Sequence, residues 1–264
     1  MPDGKRELQH LTWKDCKQIF ETDPVILLPL GSMEVQGPHS IVGDYLIASE
    51  VARETARRSD AYVIPVIPFG CSEYFREFPG TISLSPMTLY GLLHDVIECL
   101  IEHGATKLLL VNGHGGNNGT LEWIGRDIRR EFGVIMGKIT IWRSFTKELL
   151  TEVYGEKAVN NKHGGGMVDA VVRYLFPDDI RADYVGPSDI NQQWEAFTLT
   201  DIGETLIGGT IQDIYTDMTH VSKQGCLGDP LMSTAEDGKV LFEAMVACCC
   251  EFVDKMKRSD MRLH

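Results

Sequence analysis

Short apolar runs alternate with helical patterns through the first half of the chain, and this alternation limits the fold more than any other feature. PVILLPLG (Pro24 to Gly31), AYVIPVIPFG (Ala61 to Gly70), TKLLLVNG (Thr106 to Gly113) and VIMGKITIW (Val134 to Trp142) are rich in branched side chains. Runs of that length and content read as buried strands. Helical periodicity follows the first three, over Asp44 to Arg58, Ser85 to His103 and Asn117 to Arg130. Ser85 and Pro86 stand where an N-cap and a first-turn proline belong. Alternating strands and helices predict an α/β fold whose largely parallel sheet is covered on both faces. The second half is less regular: His163 to Phe176 opens glycine-rich and continues as helix, Pro187 to Gly209 reads as mixed loop, and Ser233 to Lys257 as a long helix. Neither a repeat nor a low-complexity linker divides residues 1–264, which read as one domain. A chain of this length buries roughly 70–75% of its unfolded surface and needs no disulfide.

The formal net charge of −13 repels nucleic acid and anionic membranes. The expected partner is instead a small-molecule substrate, and an anionic one would have to meet a local cation or metal. Seven cysteines, an odd number without a C-x-x-C pair, read as small buried hydrophobes. Reduced thiols, a polar start (MPDGKRELQH) and no apolar run of about 18 residues point to the cytoplasm.

Open α/β sheets gather ligands at the carboxyl ends of their strands, and two polar clusters fall there. GSMEVQGPHSIVGDY (Gly31 to Tyr45) follows the first strand and carries Glu34, Gln36, His39 and Asp44. NGHGGNNG (Asn112 to Gly119) follows the third and carries His114 and Asn117. Glu34, Asp44 and His114 form a donor set that suits Zn²⁺, Mn²⁺ or Fe²⁺ and leaves a position open for water. Other readings stay open on spacing alone. Asp44 could simply cap the helix that follows it, and His114 could bond to backbone. The glycines near His114 also suggest a phosphate cradle, although no P-loop lysine follows. His163, in NNKHGGGMVDA, is a further candidate.

These residues together resemble a known family. GSMEVQGPHSIVGD is similar to the G-S-x-E-Q-H-G-P-H-L-P-L-x-T-D signature of the creatininase (creatinine amidohydrolase) family, and VNGHGGN contains its N-G-H-G-G-N motif unchanged. FGCSEYFREFPGTISLS and QGCLGDPLMSTAEDGKVLFE resemble two further family segments, so the likeness runs in order from about residue 25 to 255. The resemblance implies a three-layer α-β-α domain, metal-dependent hydrolysis and a homo-oligomer, with a hexamer favoured. It also implies that Glu34, Asp44 and His114 bind metal and that His163 is the proton-transferring catalytic residue. The pattern departs elsewhere. Gln36 stands where a second-site histidine is usual, Gly116 and Gly166 where carboxylates are usual, Val168 at a second lost glutamate, and Phe75 at a common histidine. The span from His39 to Asp44 is one residue short, which could bring His39 toward the vacancy. One divalent ion per chain (Zn, Mn or Fe) is therefore the expectation, not two.

The function so implied is hydrolysis of a small, polar, cyclic substrate, by amide C–N ring opening or amide cleavage. Carbon–carbon ring opening of a cyclic polyol diketone of the 3-dehydro-scyllo-inosose type is the alternative. A family member that kept binding and lost catalysis is a second. Gln36, His39, Tyr74, Arg76 and Asn117 are the expected substrate contacts.

Overall fold

The structure is a computed structural model and describes residues 4–41 and 43–263. In chain order its elements are α1 (Trp13–Phe20), β1 (Val25–Leu30), α2 (Asp44–Ser59), β2 (Tyr62–Val63), α3 (Pro86–Glu102), β3 (Lys107–Asn112), α4 (Asn118–Phe132), β4 (Gly137–Thr140), α5 (Lys147–Tyr154) and α6 (Met167–Leu175). Then come β5 (Gln193–Trp194), β6 (Phe197–Asp201), β7 (Glu204–Ile207), β8 (Thr210–Asp213), α7 (Met218–Val221) and α8 (Ala235–Lys257).

The central sheet has the order β2-β1-β3-β4 and every pairing is parallel. Side chains alternate across a strand, and here each face has its own core. Val25, Leu27, Leu109 and Val111 pack with residues of α2, α6 and α8. Ile26, Leu28, Leu108 and Leu110 pack with residues of α1, α3 and α4. All six residues of β1 are buried, so VILLPL must be apolar throughout. This is the expected three-layer α-β-α arrangement.

Two expectations shift in detail and a third holds. The run Ala61 to Gly70 yields only the two-residue β2, because Pro65 and Pro68 have no N–H for a ladder. The rest still follows β1 through single bonds, Ile64 N to Leu27 O at 3.2 Å and Ile67 N to Pro29 O at 3.0 Å. The segment from His163 does open glycine-rich and continue as helix: Gly164 and Gly166 have positive φ values of 73° and 55°, and α6 begins at Met167. Pro187 to Gly209 is more than loop: β5 to β8 form a second, antiparallel sheet that continues to Asp213. Its strands are short and mostly polar, so alternation does not mark them. No helix among the described residues is long and apolar enough to cross a membrane.

Arg58 ties α2 to α8 by donating to both carboxylate oxygens of Glu243, at 2.6 and 2.9 Å, and to Glu54 within α2. Hydrogen bonds from Arg57 and Arg58 bring Glu54 from 4.5 to about 2. Stability from an ionised Glu54 is thus present above pH 4.5 and is lost as pH falls towards 2. Arg58→Ala should cost about 1 kcal/mol in urea unfolding at neutral pH, and the difference from wild type should fade through that acid window.

Candidate metal centre

Parallel pairing puts the carboxyl ends of β1 and β3 side by side, with Leu30 opposite Asn112. Glu34 follows the first end and His114 the second. Asp44 reaches them from the first turn of α2. It does not cap that helix: Gly43 holds the N-cap position and no side chain makes a cap bond there. A Cβ on Gly31 would lie 2.5 Å from the backbone nitrogen of Tyr45, so only glycine lets α2 start this close to the end of β1. Asn117 fastens the surrounding turns. Its amide donates to Gly31 O at 3.1 Å and Asn112 Oδ1 at 3.2 Å, and its oxygen accepts from Cys71 N at 2.9 Å.

Donor atoms of Glu34, Asp44 and His114 lie within 4.8 Å of one another. His114 Nδ1 is 3.0 Å from Glu34 Oε2 and 3.3 Å from Asp44 Oδ2. The three side chains are almost wholly buried. Among the described residues, no lysine or arginine pairs with either carboxylate. Neutral donors support them instead. Gln36 Nε2 donates to Asp44 Oδ1 at 2.8 Å and to Glu34 Oε1 at 3.3 Å. Ser72 donates to Glu34 and is itself bonded to Ser32. Burial and the Glu34 charge push Asp44 up to about 7, against the opposing pull of His114. Burial disfavours a charged His114, but Glu34 and Asp44 outweigh it and hold the ring well above the usual histidine range.

This arrangement fits a divalent cation. His114 Nε2 lies 2.9 Å from Cys71 O. An N–H donated there leaves the Nδ1 lone pair facing two carboxylates, which is favourable only with a positive charge between them. A metal-binding histidine typically has its second nitrogen held in this way.

The cluster opens into a cavity of about 720 Å³ that is also lined by Gln36, Tyr74, Phe75, Trp142 and His163. His163 donates from Nε2 to Val35 O at 2.8 Å and stacks on Phe75 with ring centroids 4.2 Å apart. That leaves Nδ1 free, and burial lowers its pKa. Burial likewise raises the Tyr74 phenol, which keeps its proton.

Three expected contacts are not brought to this cavity. His39 is buried and its Nε2 lies 3.1 Å from Asp169 Oδ1, while Arg173 Nε donates to Asp169 Oδ2 at 2.7 Å. Arg76 is exposed and pairs with Glu73 at 3.0 Å. Asn117 spends its amide on backbone and on Asn112. Conversely, sequence reading missed Ser72, although it lies inside the quoted FGCSEYFREFPGT segment. It also missed Trp142 and the wall formed by Ile202, Gly203 and Tyr215, which no motif signals. A second cluster, His94, Asp95 and Glu98, is partly exposed, and His94 pairs with Glu131 at 3.0 Å.

Residues 9–253 match the creatininase family, described as creatinine amidohydrolase, and the chain belongs to that family. It is 30% identical over 194 residues to creatinine amidohydrolase of Pseudomonas putida, which covers 66% of this chain and 74% of the relative. It is 30% identical over 249 residues to the mycofactocin precursor peptide peptidase of Mycobacterium tuberculosis (strain CDC 1551 / Oshkosh), covering 88% and 85%. A solved structure titled "Creatininase Mn" superposes with a TM-score of 0.78 at 22% identity, covering 95% of this chain and 98% of that one.

The site's titration has a testable consequence. Asp44 is raised from 3.8 to about 7 in the folded protein. The folded state therefore binds the extra proton between those values, and stability falls as pH rises through them. His114 acts in the same direction: its contribution is present below 6.5 and is lost as pH rises through its higher folded value. Protein stripped of metal by a chelator should be less stable at about pH 8 than at about pH 5. Saturating Mn²⁺ or Zn²⁺ should reverse the trend, and Asp44→Asn should weaken it. Greater stability of the stripped wild type at the higher pH would count against this electrostatic account.

Proposed function

We propose that the protein is a metal-dependent hydrolase that cleaves an amide C–N bond in a small polar substrate, with a cyclic amide as the leading case. The observation that carries this reading is the convergence of Glu34, Asp44 and His114 in a buried, cation-poor cluster at the floor of an open cavity. These three residues would hold the ion. Bound there, a divalent cation supplies a polarised substrate carbonyl and a more acidic water. His163 is the acid/base group. Its ring lines the same cavity, Nε2 is held by Val35 O, and its lowered pKa keeps it neutral and able to accept a proton near neutral pH. Phe75 holds the His163 ring by stacking, and Tyr74 offers a protonated hydroxyl to the substrate. A volume of about 720 Å³ lies within the range of pockets for drug-sized ligands, so a linear amide is also accommodated.

We further propose one ion per chain. The positions that would complete a second site are Gln36, Gly116 and Gly166, and the space beside the glycines is taken. A Cβ on Gly116 would lie 2.2 Å from Cys71 O, and one on Gly166 would lie 2.0 Å from Asn161 Oδ1. His39 is turned to Asp169. Elemental analysis of dialysed protein should give one equivalent of divalent metal per chain; two equivalents would overturn the proposal.

His163→Ala should keep fold and metal and lose roughly 10²–10⁴-fold in turnover. The assay is a panel of lactams, short linear amides and cyclic diketones with the metal-loaded protein. Turnover of the diketones alone would move the reaction to carbon–carbon cleavage. A variant within about threefold of wild type would take His163 out of the mechanism.

A further inference from the structure

Gln36 is 2% exposed and lines the cavity floor. Its amide is used at one end only. Nε2 donates to Asp44 and Glu34 at 2.8 and 3.3 Å, whereas Oε1 is buried with no hydrogen-bond partner. With no partner for Oε1 among the described residues, the contacts of Nε2 alone set which way the amide is turned. The two ends of a primary amide have nearly the same shape, so its orientation follows from its partners. Facing two carboxylates and no cation, the amide must present its N–H groups.

We propose that Gln36 is a fourth protein ligand of the metal, through Oε1. This rests on the metal-dependent reading above and adds to its donor set. With a cation among Glu34, Asp44 and His114, a half-turn of the amide puts Oε1 where Nε2 now lies, beside Asp44 Oδ1 and Glu34 Oε1. No hydrogen bond is lost at the other end, because Oε1 has none to lose; Nε2 takes over that partnerless position, a cost that the bond from Oε1 to the cation has to offset. The two bonds that Nε2 gives up go to carboxylates whose lone pairs the cation then engages. The resulting set has three oxygens and one nitrogen. A neutral, hard amide oxygen shifts preference towards oxygen-favouring ions such as Mn²⁺, and it leaves the ion's net charge less compensated than a carboxylate would.

The test compares wild type, Gln36→Leu and Gln36→Glu, with folding first checked by thermal melts of the stripped proteins. Mn²⁺ affinity is measured by calorimetry, and the visible spectrum is recorded after loading with Co²⁺. Gln36→Leu should bind Mn²⁺ at least about tenfold more weakly and should change the Co²⁺ spectrum, because a ligand has been removed. Gln36→Glu should bind more tightly and also change the spectrum. An unchanged Co²⁺ spectrum in Gln36→Leu would overturn the proposal whatever its affinity, and would leave Gln36 as a donor to the carboxylates. Weaker binding by Gln36→Glu would overturn it as well. Wild type that takes up neither ion would remove the metal-dependent reading and this ligand together, an outcome distinct from failure of the ligand alone.

Discussion

Two carboxylates buried side by side, with one shared imidazole and no lysine or arginine among the described residues to pair them, set the terms for everything around them. Unit charges 4 Å apart repel by about 4 kcal/mol at an effective dielectric of 20, and each buried carboxylate also gives up hydration. Glu34 and Asp44 share contact with one imidazole nitrogen, and neutral amide and hydroxyl donors cover some of the remaining oxygens. These offset only part of the cost, which is why Asp44 is pushed up to about 7. A divalent cation turns the same arrangement from a liability into a binding site.

Holding such a pair together requires a stiff frame, and the central sheet supplies it. Adjacent parallel strands bring two turns to one edge, and Gly31 allows the first turn of α2 to close the third side. Asn117 bonds these turns to one another. The contact between His39 and Asp169 fastens the loop before α2 to α6, whose first residues, Met167 and Val168, line the cavity. Asn117 and His39 therefore act on the geometry of the donors from behind them. Their motif positions say nothing of which side of the site they serve.

Family membership fixes the scaffold and leaves the substrate open. The two relatives described above are named for different amide substrates, a small ring and a peptide. This chain departs from the resembled motifs at Gln36, Gly116 and Gly166, the positions on which the one-ion proposal rests. The differences are structural as well as chemical: backbone or side-chain atoms fill the space beside Gly116 and Gly166. Part of the cavity wall comes from the second sheet, through Ile202 and Gly203 between β6 and β7.

The sequence by itself determined the layered fold and the floor of the site. Unbroken apolar strands can be stable only between two helical layers, and strand ends in such a sheet gather polar residues, so Glu34, Asp44 and His114 were legible from pattern and motif. Whether Asp44 capped its helix was not legible, because an N-cap and a first-turn ligand differ by one residue. Only the tertiary structure decided that question, through Gly43. It also turned His39 towards Asp169, directed Asn117 to backbone, set Ser72 against Glu34, and brought Trp142 and the second sheet to the cavity. Those outcomes depend on contacts between segments far apart in sequence, where rotamer and packing choose among partners that local spacing leaves equivalent. Local patterns specify which residues can do chemistry; long-range packing specifies which of them meet.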